Sequence, residues 1–446
     1  MNIIKALWCR LFKPYPIEKV FTPSSSAELT FVRRTSIEKK FHSQFRLCGK
    51  QIIVYGHSGS GKTTFLNKYF KERGISTITI QCDSNMAFNQ ILLNAFDQLG
   101  IFFRQTGTLS ETETSKFFGG LETTGFKSQN EVSSIQTKVA NFSRMVSPQV
   151  TSQRLAEALG NKNKVLVIED FHKLAADEKK KLADMLKVFI DQANNYPNLK
   201  VVCIGAVDSA REIVKLDNNL KQRVYECEIP LLNDNEIKDI VLRGCELLNI
   251  SMTDDLIERI VHYSNQLGAL AHQLSYDICD CEGISKSQLK RKKLTGEKFS
   301  NAVEGYIEAR SDTLREVYDR AVKDPLGWYI LRTFANRPLA KLSLKTISKK
   351  VNTIEHPFLE NDIALKLAEL STAEVGILRS DFNSSMFAVS DPFWGAFIKM
   401  KIAQEQTERE KAYKNSTNRN LQLQNQNDIE AMLLQILLKK FNPKQR

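Results

Sequence analysis

The sequence predicts an α/β fold, with a parallel sheet in its first half and helical domains in its second half. Four short apolar runs, at residues 51–56, 76–82, 164–170 and 200–207, have the length and β-branched content of buried strands. Helical patterns separate these runs, and nearly continuous apolar strands are typical of a parallel sheet covered by helices on both faces. After about Pro230 the pattern becomes helical.

The helices between the strands have recognisable ends. Residues 62–74 and 86–100 each finish on a glycine, and residues 83–85 are polar candidates for the N-cap of the second helix. A third helical pattern covers residues 177–195. Residues 104–147 are polar, rich in Gly, Ser and Thr and without periodicity, which predicts a mobile insertion.

A glycine-rich loop joins the first predicted strand to the first helix. Its sequence at residues 56–63, GHSGSGKT, fits the pattern GxxxxGK[ST]. Small residues let backbone N–H groups approach the β-phosphate of a nucleoside triphosphate, and the helix that follows adds its positive end. Lys62 would supply a cation to the β- and γ-phosphates, and the Thr63 hydroxyl would be a ligand of Mg²⁺. The loop therefore predicts binding of ATP with Mg²⁺.

Two carboxylates follow the third predicted strand. Four apolar residues precede Glu169 and Asp170, and the carboxyl ends of parallel strands are where such sheets place ligand chemistry. We expect one carboxylate to hold Mg²⁺ through water and the other to polarise the attacking water. The assignment of the two roles stays open, as does the alternative that the pair caps a short helix.

Two further polar residues are candidates for the same chemistry. Asp208 follows the fourth strand, where a polar side chain can lie between the carboxylates and the γ-phosphate. Arg223 lies on a predicted short helix before another strand, and an arginine finger at that place can reach the γ-phosphate of a neighbouring subunit. The alternative for Arg223 is a surface salt bridge.

Together these blocks resemble the AAA+ superfamily of P-loop ATPases, in the branch that holds Orc1/Cdc6-like, TniB-like and STAND (archaeal-type) ATPases. The matching blocks are FVRR at 31–34, which resembles the adenine-pocket segment, the Walker A loop at 56–64, the Walker B strand at 165–174, a sensor 1 block at 203–210 and an arginine-finger block at 220–224. The resemblance implies that the following residues contact the nucleotide: Val32, Gly56, His57, Ser58, Gly59, Ser60, Gly61, Lys62, Thr63 and Thr64. It implies catalytic roles for Glu169, Asp170, Asp208 and Arg223, with Thr63, Glu169 and Asp170 at the metal.

The sequence departs from the family pattern at two places. Glu169 precedes Asp170, which reverses the commonest order of the Walker B carboxylates. Ala271 and His272 stand where many members carry the arginine known as sensor 2. His272 either replaces that arginine or packs inside the lid. Both departures favour slow hydrolysis by a switch over rapid turnover by a motor.

The C-terminal region resembles a winged helix, because helical patterns are followed by a hairpin and an Asp-Pro-Phe-Trp segment. Lys345, Lys349 and Lys350 on its second helix either contact DNA phosphates or form a solvated face. The predicted parts of the chain are an N-terminal amphipathic helix at 1–19, the AAA+ nucleotide-binding domain at 20–229, a helical lid at 230–298, the winged-helix domain at 299–404 and a polar tail at 405–446 with a terminal amphipathic helix.

The N-terminal pattern and the overall charge bear on partners. Residues 1–13 place apolar residues on one helical face beside basic ones, which predicts docking on the protein or a partner, with a membrane-surface helix as the alternative. The formal net charge of +12 fits a polyanionic partner such as DNA and is also found in proteins without one. The eight cysteines form no CxxC pair, and no apolar run is long enough for a membrane span, so a cytoplasmic location is expected.

The resemblance implies one of two functions, each with ATP and Mg²⁺ and a homo-oligomeric assembly. The first is a slow ATPase that acts as a nucleotide-driven switch or assembly platform. It would need a separate effector or sensor protein, and bacterial ATPases of this kind often serve in antiphage defence. The alternative is a DNA-binding ATPase for DNA loading or target selection, as in Orc1/Cdc6-like or TniB-like proteins.

Overall fold

The computed structural model describes residues 14–101, 150–206, 220–309, 314–335, 340–352, 357–372, 374–381 and 386–409. Two compact units make up the chain. The sheet unit comprises Thr35–Gly56 and Leu66–Glu228, and the helical unit comprises Met1–Arg34, His57–Phe65 and Ile229–Arg446. Residues 1–13, the predicted insertion at 104–147 and the predicted terminal helix lie outside the described residues.

Helices and strands largely alternate in the first half of the chain, as predicted, and helices predominate in the second half. The helices are α1 (Ile17–Val20), α2 (Thr35–Phe45), α3 (Lys62–Glu72), α4 (Phe88–Gln98), α5 (Ser152–Asn161), α6 (Ala176–Asp191), α7 (Asp234–Leu248), α8 (Asp254–Ser264), α9 (Gly268–Cys281), α10 (Phe299–Ala309), α11 (Glu316–Ala321), α12 (Pro325–Ala335), α13 (Leu344–Val351), α14 (Glu360–Leu370) and α15 (392–409). The strands are β1 (Gln51–Tyr55), β2 (Thr77–Gln81), β3 (Val165–Glu169), β4 (Val201–Gly205), β5 (Val224–Glu228), β6 (Ile250–Met252), β7 (Lys292–Leu294), β8 (Leu342–Ser343), β9 (Leu378–Asp381) and β10 (Met386–Val389).

The sheet unit is built on a five-stranded sheet in the order β2-β3-β4-β1-β5. Each neighbouring pair runs parallel. Every residue of β4 is buried, and the first four residues of β1 and of β3 are buried as well. The expected parallel α/β sheet is therefore confirmed, and its strands are continuous apolar runs because helices cover both faces.

The start of α4 differs from the prediction. Helix α4 begins at Phe88, two residues after the predicted start. The Asp83 carboxylate accepts a hydrogen bond from the Asn85 N–H at 2.8 Å, so the expected capping residues form a turn of their own. The Gln90 side chain, which accepts from the Ala87 N–H at 2.8 Å, satisfies the helix start instead.

In the helical unit, α7, α8 and α9 pack against one another, and β6 pairs parallel with β7. The segment before α2 is part of this core. Ile17, Val20 and Phe21 are fully buried there. The Ile17 N–H donates to the Ser285 carbonyl at 3.0 Å, so backbone pairing as well as apolar burial holds the segment.

The C-terminal part of the helical unit contains α12, α13 and α14 with a three-stranded antiparallel sheet in the order β8-β10-β9. Strand β8 immediately precedes α13 and was not expected from the sequence. Residues 392–409 follow the β9–β10 hairpin as a helix, as predicted. Among the described helices, none has the length and apolar content needed to cross a membrane.

Candidate nucleotide-binding site

The glycine-rich loop follows β1 along the chain and leads into α3. Gly59 and Gly61 have φ angles of +75° and +86°, which a residue with a Cβ adopts only with strain. The His57 carbonyl accepts hydrogen bonds from the Ser60 N–H at 3.2 Å and from Lys62 Nζ at 2.8 Å. The Lys62 ammonium therefore lies over the loop, where the GxxxxGK[ST] pattern predicts it.

A pocket lies beside this loop within the helical unit, with about 800 Å³ of empty space when its open mouth is included. Its walls come from loop residues 59–61, from the segment between Thr22 and Arg34, and from Gly268 and His272 at the start of α9. Two predicted nucleotide contacts, Val32 and Thr64, are among the lining residues. The pocket thus brings the Walker A loop and the expected adenine segment together.

Three buried polar atoms line this pocket and have no hydrogen-bond partner within the described chain. They are the hydroxyl oxygens of Thr22 and Ser60 and the Nη2 atom of Arg34. A buried polar atom left unpaired costs about 1–3 kcal/mol. The pocket therefore fits a polar ligand that would supply the missing partners, as a nucleotide with its phosphates, sugar and base would.

Arg34 is a pocket residue that the sequence did not single out. Its Nη1 donates to the Pro230 carbonyl at 2.6 Å, and its Nε lies 3.4 Å from a carboxylate oxygen of Glu236. Burial lowers the pKa of the guanidinium, and the Glu236 carboxylate opposes that shift. The side chain is fixed by these two bonds, which leaves Nη2 as an available donor at the pocket. The sequence could have pointed to Arg34, because it is the last residue of the FVRR segment that resembles the adenine-pocket segment.

His272 occupies the lid position where the family pattern has an arginine. The imidazole is only 4% exposed, and its Nδ1 accepts a hydrogen bond from the Thr22 N–H at 3.1 Å. Burial lowers the pKa of His272 from 6.5 to about 4. A neutral ring at pH 7 brings no positive charge to a phosphate, so the structure favours the packed histidine over the arginine replacement.

The two predicted carboxylates lie at the carboxyl end of β3 in the sheet unit. A carboxylate oxygen of Glu169 accepts from Gln81 Nε2 at 3.3 Å. Asp170 has a left-handed φ of +57° and pairs with Lys173 Nζ at 2.7 Å, which raises the pKa of Lys173. The Asp170 side chain makes no capping hydrogen bond to the short helical turn Phe171–Lys173. Asp170 therefore does not cap this turn with its side chain, contrary to the capping alternative.

Arg223 and Asp208 are the remaining candidate residues. Arg223 precedes β5 in a turn rather than on a short helix, and its guanidinium lies 3.5 Å from the Asp191 carboxylate. Both side chains are exposed, so this ion pair contributes little to stability. An arginine-finger role for Arg223 stays a prediction. Asp208 lies outside the described residues.

A further contact in the helical unit joins the loop to the C-terminal helix. A Cβ built on Gly59 would lie 2.7 Å from Leu267 Cδ2 and 3.1 Å from the ring of Phe393. Asn265, which is buried, donates from Nδ2 to the Pro392 carbonyl at 2.8 Å. The Asp391 carboxylate accepts from the Phe393 N–H at 2.7 Å and so fixes the start of α15. The sequence offered no sign of this contact.

Residues 49–214 match the model of a family described as an AAA domain. Among solved structures, the chain is similar to a Walker-type ATPase of Pyrococcus abyssi, at 13% identity and a TM-score of 0.48, with 83% of this chain and 100% of that chain covered. It is also similar to the ORC2 protein of Aeropyrum pernix in its ADPNP–ADP complexes, at 13% identity, a TM-score of 0.45 and coverage of 87% and 98%. The ORC1 protein of Aeropyrum pernix in complex with DNA matches at 12% identity, with a TM-score of 0.39 and coverage of 87% and 96%.

No curated protein matches the chain. The matched residues contain strands β1 to β4 of the parallel sheet and the loop that follows β1. Residues 49–214 are therefore similar to an AAA domain in sequence and contain most of the parallel sheet.

Proposed function

We propose that the protein binds ATP with Mg²⁺ in the pocket beside residues 56–63 and acts as a slow, nucleotide-driven switch or assembly platform. The observation that carries the proposal is the position of Gly59, which lies against both Leu267 of the lid and Phe393 at the start of α15. The phosphates of a nucleotide bound in the loop would lie against Gly59. Gly59 in turn lies against the lid and the C-terminal helix. Nucleotide state would thereby bias the position of the C-terminal domain.

The residues of the site have distinct proposed roles. Lys62 would bind the β- and γ-phosphates, and Thr63 would hold Mg²⁺ together with Glu169 or Asp170. The Mg²⁺ ion would neutralise charge that develops on the phosphates. Asp170 already forms an ion pair with Lys173 through one carboxylate oxygen, and this ammonium would weaken the carboxylate as a base toward the attacking water. This weakening supports slow hydrolysis.

The order of elements in the C-terminal region supports the proposal of a winged-helix domain at 299–404. That order, as in a winged helix, is helix α12, strand β8, helices α13 and α14, and the β9–β10 hairpin. Assembly into a homo-oligomer would bring Arg223 to a neighbouring subunit's nucleotide. A separate effector or sensor protein would read the switch. The role in antiphage defence rests on the family resemblance and is tested by phage challenge of cells that lack the protein.

The nucleotide site is tested by the variant Lys62→Ala. Loss of a charge-assisted hydrogen bond to phosphate costs about 1.5–3 kcal/mol, so we expect the affinity for MgATP to fall about 10- to 100-fold. Isothermal titration calorimetry measures the change. Lys68→Ala is the matched control, because Lys68 lies on the same helix and pairs with Glu72 at 3.6 Å. Equal affinity of Lys62→Ala and the wild type would refute the site.

The second candidate is a DNA-binding ATPase for DNA loading or target selection. It is favoured by the net charge of +12 and by Lys345, Lys349 and Lys350, which are exposed on α13. DNA binding through lysine–phosphate contacts weakens steeply with salt. Stimulation of hydrolysis by DNA and such a salt dependence would support this function. No binding to duplex DNA at low salt would exclude it.

A further inference from the structure

Helix α14 presents an acidic face with an exposed leucine at its centre. Leu365 is 71% exposed. Asp362 and Glu369 precede and follow it by three and four residues, so the three side chains lie along one stripe of the helix. Leu359, immediately before the helix, is 73% exposed. An exposed apolar surface rimmed by charge is typical of a docking site for another polypeptide.

The charge of this face excludes phosphate and favours a basic partner. Within the described residues, Asp362 has no ion pair. The one cation of α14, Lys366, is buried and pairs with Asp324 at 2.6 Å and with Glu369 at 3.0 Å. It therefore adds no positive charge to the exposed face. Exposed lysines lie instead on α13, at Lys345, Lys349 and Lys350.

The chain leaves the described structure close to this helix. The guanidinium of Arg409, at the end of α15, lies 4.2 Å from the ring centroid of Trp328 on α12. Trp328 Nε1 donates to the Glu405 carboxylate at 2.7 Å, which fixes the last turns of α15 to α12. The neighbouring Gly327 lies against α14, since a Cβ there would be 3.1 Å from Lys366 Cε. The polar tail therefore begins beside the helix that supports α14.

We propose that residues 428–441 of the same chain dock on the exposed face of α14. This segment, DIEAMLLQILLKKF, places apolar residues at 429, 432, 433, 436 and 437, which is the spacing of one helical face, and ends in Lys439 and Lys440. The apolar face would cover Leu365 and Leu359, and the two lysines would meet the carboxylates of α14. The intervening residues 410–427 can extend about 60 Å at ~3.3 Å per residue, so the segment reaches α14 within one chain.

Amide hydrogen exchange of the full-length protein tests the proposal. In the double variant Leu433→Glu/Ile436→Glu we expect the amides of residues 357–371 to exchange about tenfold faster, because a covered helix loses its protection. In Leu365→Glu we expect the same rise over residues 428–441. The variant Gln435→Glu is the control, since it adds a charge outside the apolar stripe and should change neither segment.

A charge-reversal pair checks the orientation and does not depend on the folding of the apolar variants. Lys439→Glu/Lys440→Glu should raise exchange over residues 357–371, and adding Asp362→Lys should restore the protection. The proposal is overturned if exchange over residues 357–371 is the same in the wild type and in Leu433→Glu/Ile436→Glu. It is also overturned if the wild-type protection disappears on dilution, because the occupant would then be a second copy.

Discussion

His272 packs against the N-terminal segment at one wall of the pocket, where a cation is expected from the family pattern. The ring is oriented by the Thr22 N–H, which donates to Nδ1 at 3.1 Å. The same bond requires Nδ1 to be unprotonated, so protonation of the ring removes an acceptor and leaves a buried charge. His272 therefore links the stability of the helical unit to pH.

The pKa of His272 determines whether the free energy of unfolding rises or falls with pH. The folded pKa of His272 is about 4, below its ordinary value of 6.5, so between these values the unfolded chain binds more protons than the folded chain. The free energy of unfolding should then fall by up to about 3 kcal/mol between pH 6.5 and pH 4 because of this residue. Replacement His272→Asn keeps an acceptor and removes the titration, so the variant should lose less stability with acid than the wild type.

Urea unfolding at pH 7 and pH 4.5 measures the effect. The carboxylates titrate in both proteins, and the difference between wild type and variant therefore isolates His272. Equal losses of stability with acid in the two proteins would show that His272 is not held as a neutral, buried group.

At the scale of elements, the N-terminal segment packs so closely on α7 that a methyl side chain would not fit at one position of this helix. Gly244 lies within α7, and a Cβ there would overlap the ring of Phe21. Phe21 is fully buried and has no room to move aside. The segment before α2 is thus held by shape as well as by burial.

The variant Gly244→Ala should therefore lower the free energy of unfolding by about 1–3 kcal/mol, the usual cost of overpacking a core. Gly305→Ala is the matched control. Gly305 also lies within a helix, α10, and a Cβ there would meet nothing within 4 Å. That control should be neutral or more stable by up to about 1 kcal/mol, because alanine favours the helix. Thermal or urea unfolding compares the two, and a Gly244→Ala protein as stable as Gly305→Ala would contradict the packing described here.

The elements that the sequence predicted are those whose signal is local. The sheet strands are short apolar runs, the loop at 56–63 is a motif with fixed spacing, and the helices follow a 3.6-residue period. What was missed depends on partners distant in sequence. Burial of Phe21 requires Gly244, pairing of β6 with β7 joins residues 250–252 to 292–294, and the orientation of the Arg34 side chain depends on Pro230 and Glu236. No periodicity encodes such pairs.

At the scale of the molecule, the nucleotide loop lies against the start of the C-terminal helix. Phe393 lies against Gly59, and α15 continues from Phe393 to Arg409 beside α12. A displacement of the loop would pass to a helix that packs on the C-terminal domain. A two-state element that a ligand biases is the requirement for such coupling, and Phe393 is the side chain through which it would act.

Truncation of the Phe393 side chain should abolish the response of residues 390–400 to MgATP while MgATP still binds. In the wild type we expect saturating MgATP to change amide exchange over residues 390–400. In Phe393→Ala that change should be lost, while the affinity for MgATP stays within about threefold, a difference of less than about 0.7 kcal/mol, because the phosphate-binding groups remain. Phe387→Ala is the matched control, since Phe387 is a partly buried aromatic residue of the same domain on β10. If the response to MgATP persists in Phe393→Ala, or if Phe387→Ala abolishes it equally, the Gly59–Phe393 contact does not transmit the nucleotide state.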